Sequence, residues 1–419
     1  MRPPGPLLVI VNDRLSSLIQ KGEITPRYYN PGELFQEVHL VMTNGDCPDR
    51  AALAPTVGRA KLFLHNLPAG KALFLRTLGW RPWLLERWAR EAVSLARAIW
   101  PALVRCHGNH LNAFAAREIK RELGIPFVVS LHINPDEDIR GRASTWAERL
   151  AAHASEPIER RSLAEADLVA PVYEPIIPYL RRMGRPSFQV LYNVLNGEEL
   201  HPKTDYRLHS PVRVVSVGRQ FREKDPTRLL EAIGHLPNVR LTLIGDGPWH
   251  GRLRHRAAQM GIGGRIEFRP AVPNHQLSRS LADYDLFAAH SEYAEISKAV
   301  LEALLVGLPI VINRRQGAPV PELQGGFVRL VESTEAGYRT ALQELIEDDA
   351  LRKSLGQRGF AEAQKRYAPA RTEARYAEVY RSLLERAATG GQAPLDASAA
   401  EREARPAAAR STTVERTVG

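Results

Sequence analysis

Short apolar runs that alternate with helical stretches constrain the fold more than any other feature of this sequence. Each run has four to seven residues and is rich in Val, Ile and Leu. Such runs are typical of strands buried on both faces, and strands that alternate with helices form parallel sheets. The pattern therefore predicts an α/β fold. The predicted strands are 7–11, 37–42, 102–107, 127–132, 167–170, 188–193, 212–218, 239–244, 266–269, 285–289 and 309–312.

The order of these elements divides the chain into two βα series. Residues 196–211 are polar and rich in turn formers, and a second series starts at Val212. A chain of 419 residues is long enough for two separate cores. We therefore predict two Rossmann-like domains, a C-terminal helix that packs back towards the first domain, and a disordered tail without aromatic residues. Their bounds are residues 1–197, 198–366, 367–388 and 389–419.

Cysteine content, charge and hydropathy narrow the class of protein. Two cysteines, Cys47 and Cys106, do not make a disulfide framework and indicate a reducing compartment. No apolar run approaches the roughly 20 residues of a membrane-spanning helix, and the N-terminus lacks the apolar core of a signal peptide. We expect a cytoplasmic protein, soluble or peripheral at the inner face of the membrane. The net charge of +10 favours an anionic partner, such as a phosphorylated small molecule.

Two classes of protein are not expected from this sequence. The basic residues are dispersed rather than interleaved with aromatic residues along one surface, so we expect no nucleic-acid partner. Neither first strand is followed by the G-x-G-x-x-G turn of a dinucleotide-binding dehydrogenase.

A tryptophan-rich segment over residues 80–100 has two interpretations. It contains four of the six tryptophans and several arginines, and its apolar residues are spaced along one face of a helix. Packing in the core of the first domain explains that spacing. Contact with an anionic membrane or a lipid acceptor is the alternative.

Three polar residues end predicted strands of the first series. His107, His132 and Asn193 each stand at the carboxyl end of a strand, where open α/β sheets bind their ligands. A surface histidine without a functional role is the alternative for each of these histidines. That alternative suits His107 better than His132, so His132 is the stronger candidate for a functional side chain. His107 and His110 are three residues apart without a set of companion ligands at the spacing of a metal site, so they do not indicate a metal site.

An apolar helix with a glutamate at its centre is the most informative segment of the second series. Residues 298–306 form this predicted helix, which Gly307 and Pro309 end, and Glu302 lies in its middle. A buried carboxylate without partners costs several kcal/mol. Either protein donors or a ligand rich in hydroxyl groups must therefore satisfy Glu302.

The first turn of the second series is a candidate diphosphate site. Gly218 is followed by Arg219 and Lys224, and Asp225 and Pro226 suit the N-cap and first position of a helix. A helix N-terminus and two cations converge there, and both attract phosphate. A solvated basic turn is the simpler alternative.

An Asp-x-Asp sequence at residues 283–285 does not indicate a metal site. It leads directly into a buried strand, which favours a role in ending a helix. We therefore predict no metal ligand.

Taken together, these segments resemble a known family. Val217-Gly218-Arg219 with Lys224, Gly245-Asp246-Gly247-Pro248, the helix around Glu302 and the loop with Gly317 and Glu322 occur in the order found in the large retaining family of nucleotide-sugar glycosyltransferases, group 1 or family 4. The resemblance implies the GT-B fold, in which two Rossmann-like domains with parallel sheets face each other across a cleft. It is specific for the second half of the chain and looser for the first.

The resemblance also implies roles for individual residues. Glu302 would bind the ribose hydroxyls of the donor, and Gly218, Arg219 and Lys224 would hold its diphosphate. Lys298 would be a further phosphate contact.

The remaining implied roles concern the base, the sugar and the substrates. Ala271 would contact the base, and His132 would face the donor sugar. The donor would be a UDP-, GDP- or ADP-sugar, and no cofactor is expected. The acceptor would be a glycan, a lipid-linked molecule or a small molecule.

One position departs from the family pattern. The family has a first glutamate eight positions before the second, where this chain has Ala294. We expect the neighbouring Glu295 to contact the transferred sugar. Glu292 in that role, or no residue at all, is the alternative, and Glu295 as a simple helix cap is a further one. Ala294 leaves an inactive GT-B protein as one alternative function, and a sugar-nucleotide epimerase-like protein of the same fold is another.

Overall fold

The computed structural model describes residues 4–69, 73, 82–185 and 187–389. Within them the first half of the chain forms a six-stranded parallel sheet in the order β3-β2-β1-β4-β5-β6. Its strands are β1 (Leu7–Val11), β2 (Glu37–Met42), β3 (Lys61–Asn66), β4 (Leu103–His107), β5 (Phe127–Leu131) and β6 (Leu168–Pro171). Its helices are α1 (Leu15–Gln20), α2 (Arg50–Leu53), α3 (Pro82–Ile99), α4 (Leu111–Leu123), α5 (Trp146–Glu165) and α6 (Ile177–Arg182).

The second half forms another six-stranded parallel sheet, in the order β12-β11-β10-β7-β8-β9. Its strands are β7 (Val212–Val217), β8 (Val239–Ile244), β9 (Ile266–Arg269), β10 (Leu286–Ala289), β11 (Ile310–Asn313) and β12 (Arg329–Val331). Its helices are α7 (Thr227–Gly234), α8 (His250–Gln259), α9 (Asn274–Ser280), α10 (Lys298–Val306), α11 (Glu335–Glu347) and α12 (Asp349–Arg366), and α13 (Pro369–Thr389) follows them. The predicted α/β fold with two parallel sheets is confirmed.

Burial on both faces explains why the central strand β1 is apolar throughout. In β1, Leu7 and Val9 enter one apolar cluster while Leu8 and Ile10 enter another on the opposite face. Neither cluster can tolerate a polar residue without a partner. The central strands were therefore predictable from composition alone.

Several elements differ from the prediction. Residues 188–193 are not a strand: the chain there is irregular, although Gln189 and Leu191 donate backbone hydrogen bonds of 3.0 Å to β6. Strands β3 and β12 and the short helices α1, α2, α6 and α9 were missed. Both strands lie at sheet edges and include exposed residues, so they lack the continuous apolar signal. Helix α5 begins at a capping box of Thr145 and Glu148.

The face of α3 that carries the predicted apolar stripe packs in the core. Leu85, Trp88 and Ala92 are buried there, whereas Trp83 and Trp100 are exposed. Core packing therefore explains the stripe, and contact with a membrane or a lipid stays a prediction. Trp80 and the predicted tail beyond Thr389 lie outside the described residues. Among the residues that the structure describes, no helix is both long and apolar enough to cross a membrane.

The C-terminal helix α13 lies against the first domain. Tyr376 is buried in an apolar cluster of that domain, and its hydroxyl donates a hydrogen bond of 2.9 Å to the carbonyl oxygen of Leu191. Arg27 and Glu373 form an ion pair at 2.6 Å. The chain thus crosses from the second domain back to the first.

Direct contacts join the domains on the other side of the cleft. Arg315 pairs with Glu137 at 2.6 Å. The guanidinium of Arg142, from the first domain, lies 4.0 Å from the ring centre of Tyr293 in the second. These contacts join the two domains directly.

Glu322 is a buried carboxyl group at this domain contact. It has no exposed surface, its Oε1 accepts a 2.6 Å hydrogen bond from the backbone N–H of Glu174, and its Oε2 has no partner among the described residues. Burial raises the pKa of Glu322 from 4.5 to about 7. Between these two pKa values the folded protein holds a proton that the unfolded chain has released. The contribution of Glu322 to the free energy of unfolding therefore falls as the pH rises from 4.5 to about 7.

We expect Glu322→Gln to stabilise the protein near pH 8 and to have much less effect near pH 5, with an upper limit of about 3 kcal/mol. Glutamine can still accept the hydrogen bond from Glu174 and carries no charge to bury. Denaturant unfolding of both proteins at the two pH values measures the difference. The exposed Glu122 supplies the control, since Glu122→Gln should show no such pH dependence. Equal effects of Glu322→Gln at both pH values would contradict the prediction.

Candidate active site

A cavity of about 670 Å³ lies between the two domains, at the carboxyl ends of β7, β8, β10 and β11. The first domain contributes Lys21 and Glu23 to its wall. Six of the residues predicted from sequence line this cavity: Gly218, Arg219, Lys224, Ala271, Glu295 and Lys298. The carboxyl edge of a parallel sheet is the expected place for a ligand.

Two glycine-containing turns lie back to back at the floor of the cavity. The backbone N–H of Gly218 donates to the carbonyl oxygen of Ile244 at 3.0 Å. Gly245 has a φ of +131°, and a side chain there would collide with the carbonyl oxygen of Gly218. Only glycine allows the second turn to approach the first this closely. The chain passing through Gly218 is thereby fixed beside the cavity.

Arg219 and Lys224 supply the cations of the predicted diphosphate turn. Arg219 is exposed and has no carboxylate partner in the part of the chain that the structure describes. The amine of Lys224 lies 2.5 Å from Oε1 of Glu295. Asp225 accepts hydrogen bonds from the backbone N–H and the hydroxyl of Thr227, and α7 begins at Thr227 rather than at the predicted Pro226.

The first turn of α10 also lines the cavity. The N-cap Ser297 accepts a hydrogen bond from the backbone N–H of Val300, and Lys298 follows it directly. Free N–H groups and the positive end of the helix dipole favour an anion at this point. The turn after Gly218 and the start of α10 therefore present positive charge to the same space.

Glu302 does not line the cavity but lies directly behind it. Its side chain is 1% exposed, and Oε1 accepts a hydrogen bond of 2.8 Å from the amide of Asn274. The amine of Lys298 is 3.9 Å away. Burial raises the pKa of Glu302 above its usual range, while Lys298 and Asn274 oppose this shift. Protein donors thus satisfy Glu302 in this arrangement, and both donors line the cavity.

Of the acidic residues before α10, Glu295 is the one that faces the cavity. Its Oε2 lies 3.5 Å from the hydroxyl of Tyr173, which belongs to the first domain. Glu292 instead accepts hydrogen bonds of 2.8 Å from the amide of Asn313 and the backbone N–H of Gln316. Ala294 is buried. The geometry therefore brings Glu295, and not Glu292, to the position next to Lys224.

His132 lines a second, adjoining cavity of about 250 Å³. Its ring centre is 4.7 Å from that of His107, and its carbonyl oxygen accepts a hydrogen bond from the hydroxyl of Tyr173. Burial lowers the pKa of His132 to about 3, and the nearby charge of Arg105 contributes. The imidazole is therefore neutral at physiological pH.

Sequence reasoning missed the polar residues that come from distant segments. Asn274 opens α9 and bonds to Glu302, and its backbone N–H donates to the carbonyl oxygen of Lys21 at 3.0 Å. Gly22, with a φ of +64°, lies against Pro273 and Asn274. Nothing local in the sequence shows that the loop after α1 reaches the second domain.

The acidic pair of the Asp-x-Asp sequence lies away from the cavity. Asp285 is buried and accepts hydrogen bonds from the backbone N–H groups of His209 and Arg213 and from the ring of His209. The described residues contain no group of three or more His, Cys, Asp or Glu side chains that could hold a metal ion.

Two Rossmann-like domains that face each other across a cleft define the GT-B architecture. Most of the residues that line the site belong to the second domain. Residues 203–362 match the family described as Glycosyl transferases group 1, and residues 33–193 match the Glycosyl transferase 4-like domain. The chain belongs to the group 1 glycosyltransferases with the GT-B fold.

Individual relatives agree with this family. The chain is 32% identical to the lipopolysaccharide core biosynthesis glycosyltransferase LpsE of Rhizobium meliloti, over 38% of this chain and 46% of the relative. It is 31% identical to the sulfoquinovosyl transferase SQD2 of Arabidopsis thaliana, over 80% of this chain and 64% of the relative. Both alignments span less than two thirds of the relative's length.

Solved structures share the fold at low sequence identity. A sucrose-phosphate synthase from Thermosynechococcus elongatus superposes with a TM-score of 0.68 at 16% identity, over 91% of this chain and 99% of that chain. Anabaena HepE in complex with UDP superposes with a TM-score of 0.65 at 16% identity, over 90% of this chain and all of that chain.

Proposed function

We propose that the protein transfers a hexosyl group from a nucleoside-diphosphate sugar to an acceptor hydroxyl, with retention of configuration and without a metal ion. One observation carries this proposal: Arg219, Lys224 and the N-terminus of α10 present positive charge to one cavity in the interdomain cleft. A diphosphate placed there meets fixed cations and N–H groups. These groups can stabilise the charge that builds up as the nucleoside diphosphate leaves.

The position of the second cavity supports retention. It adjoins the first cavity at Glu23, Ile296 and Lys298, which line both. Lys298 begins α10, so an acceptor in the second cavity approaches the sugar from the side on which the diphosphate departs. Attack on the same face that the leaving group vacates gives retention.

Similar proteins support a nucleotide-sugar donor. Anabaena HepE is known in complex with UDP, with UDP and glucose, and with UDP-glucose. A UDP-, GDP- or ADP-sugar is the proposed donor class. Ala271 is the proposed contact to the base, and its position in the lining of the first cavity just after β9 supports this role.

A panel of sugar nucleotides tests the proposal. The full chain is incubated with UDP-, GDP- and ADP-sugars in the presence of a chelator, and release of the nucleoside diphosphate is followed. Release from one donor without added metal, with the α-configured product expected from an α-configured donor, supports the proposal. Tight donor binding without any release, with and without candidate acceptors, would favour an inactive GT-B protein. Release that gives a free epimerised sugar would favour the epimerase-like alternative.

Glu302→Ala should weaken nucleoside-diphosphate binding about 10- to 150-fold, because a hydrogen bond to a charged group contributes about 1.5–3 kcal/mol. The substitution removes the proposed acceptor for the ribose hydroxyls, and it also leaves Asn274 and Lys298 without their carboxylate. Calorimetry with UDP, GDP and ADP measures the change. Thermal unfolding of the variant separates loss of binding from loss of fold. Unchanged affinity for all three ligands would show that the assignment of Glu302 is wrong.

A further inference from the structure

The second cavity has the features of a binding site rather than of a packing defect. It has a volume of about 250 Å³ and lies at the carboxyl ends of β4 and β5, beside the chain that follows β6. Three of the side chains around it have a polar atom with no hydrogen-bond partner among the described residues: Nε2 of His107, Nε2 of His132 and Oδ1 of Asn193. His107 is only 5% exposed. An unpartnered buried polar group costs about 1–3 kcal/mol, so three around one cavity point to a polar ligand.

The three side chains with unpartnered atoms carry no charge. Burial lowers the pKa of His107 well below its usual range, and that of His132 to about 3. Each neutral imidazole offers one donor and one acceptor, and the asparagine amide offers both. Such groups match hydroxyls, which also donate and accept.

The charged residues around the cavity disfavour an anion. Asp13 and Glu23 line it, and its cation, Lys298, already lies 3.9 Å from the carboxylate of Glu302. Arg105 is not part of the lining. Its guanidinium bonds to the hydroxyl of Ser130 and the carbonyl oxygen of Tyr28 beneath the cavity. The two lining carboxylates repel a phosphate or carboxylate ligand, and they accept hydrogen bonds from hydroxyls.

The apolar part of the cavity wall and the volume of the cavity further restrict which ligands can bind. Tyr28 and Tyr29 line the cavity with rings that meet edge to face at 5.1 Å. Its volume lies below the roughly 300–1,000 Å³ of pockets for drug-sized ligands. A single ring with hydroxyl groups and an apolar face fits this combination.

We propose that this cavity is the acceptor subsite and that it takes an uncharged, polyhydroxylated acceptor, a neutral sugar ring or cyclic polyol, in preference to phosphorylated or carboxylated analogues. This inference rests on the proposed transferase function, since only then is the ligand an acceptor. Asn193 and the two histidines select hydroxyls, and Asp13 with Glu23 excludes anions.

Ligand-detected NMR on the full chain, with and without a saturating nucleoside diphosphate, tests the inference. The probes are methyl glycosides of glucose, galactose and mannose, and the matching hexuronates and hexose 6-phosphates. We expect at least one neutral glycoside to bind about tenfold more tightly than its charged analogues. The matching disaccharides form a second arm: tighter binding than the monosaccharide indicates the end of a longer glycan, and equal binding indicates a single sugar unit.

Substitutions test whether the neutral glycoside binds in the second cavity. Asn193→Ala should weaken binding of the neutral glycoside about tenfold and leave nucleoside-diphosphate affinity unchanged. The matched control is Asn238→Ala, an exposed asparagine just before β8, which should change neither. Asp13→Asn combined with Glu23→Gln should narrow the discrimination against the charged probes. Asp13 is exposed, so this variant keeps the test open if Asn193→Ala fails to fold.

The outcomes separate this inference from the proposed function. Tighter binding of the charged probes, or neutral binding that neither variant changes, overturns the inference. So does the absence of glycoside binding by a protein that binds a nucleoside diphosphate, and in that case the donor site stands. Failure to bind any nucleoside diphosphate counts against the proposed function instead, and the glycoside arm still reports on this cavity.

Discussion

Lys224→Ala is expected to lower the rate of sugar transfer by about 10²- to 10³-fold, the range seen when a preorganised charge-stabilising group is removed from an active site. Lys224 lies on the turn that lines the cavity, opposite the N-terminus of α10. Its amine would stabilise the departing diphosphate, so kcat should fall more than donor affinity. Single-turnover rates at saturating donor measure this effect.

The control for this experiment is Lys353→Ala, an exposed lysine on α12 remote from the cavity. It removes the same charge from the protein and should leave the transfer rate unchanged. An equal fall in the transfer rate of both variants would show that the net charge of the protein, and not the position of Lys224, causes the effect. A Lys224→Ala variant with a native rate would show that the diphosphate lies elsewhere.

Glu295→Ala should have opposite effects on binding and on transfer. In the structure Glu295 pairs with Lys224 at 2.5 Å, and both side chains are about one-fifth exposed. Removing the carboxylate frees the lysine for phosphate, so affinity for a nucleoside diphosphate should rise up to about fivefold, as expected for a partly solvated pair of about 1 kcal/mol. Transfer should fall about 10- to 100-fold, because the hexosyl group loses a charged hydrogen-bond acceptor.

Glu292→Gln is the matched comparison for Glu295. Glu292 lies three residues earlier and bonds to Asn313 and Gln316 rather than to the cavity. This variant should keep the native nucleoside-diphosphate affinity and transfer rate. Loss of transfer in Glu292→Gln together with native transfer in Glu295→Ala would assign the sugar contact to the other glutamate. Calorimetry and rate measurements on the same preparations decide between the two.

Local sequence was sufficient wherever one segment alone sets the structure. Helix α10 has the predicted bounds, because its apolar residues, the left-handed Gly307 and Pro309 all act within a few residues. The turn from Gly218 to Lys224 was found for the same reason: strand, glycine, cations and helix start are consecutive. The order of such segments also indicated the family.

Local sequence did not predict the strands correctly where pairing between distant segments decides whether a strand forms. Residues 188–193 have the composition of a strand, yet they make only two backbone hydrogen bonds to β6 and join no sheet ladder. The edge strands β3 and β12 have partly exposed residues and become strands only because β2 and β11 offer free hydrogen-bonding groups.

The sequence by itself therefore determined the two parallel sheets, the helix with Glu302 and the cationic turn, because backbone conformation and burial of these elements follow from neighbouring residues. The tertiary structure decided which side chains meet: Lys224 with Glu295, Asn274 with Glu302, and the loop at Lys21 with α9. These partners are separated by 71, 28 and more than 200 residues. Their meeting depends on sheet order and on the contact between the domains, which no local pattern of residues encodes.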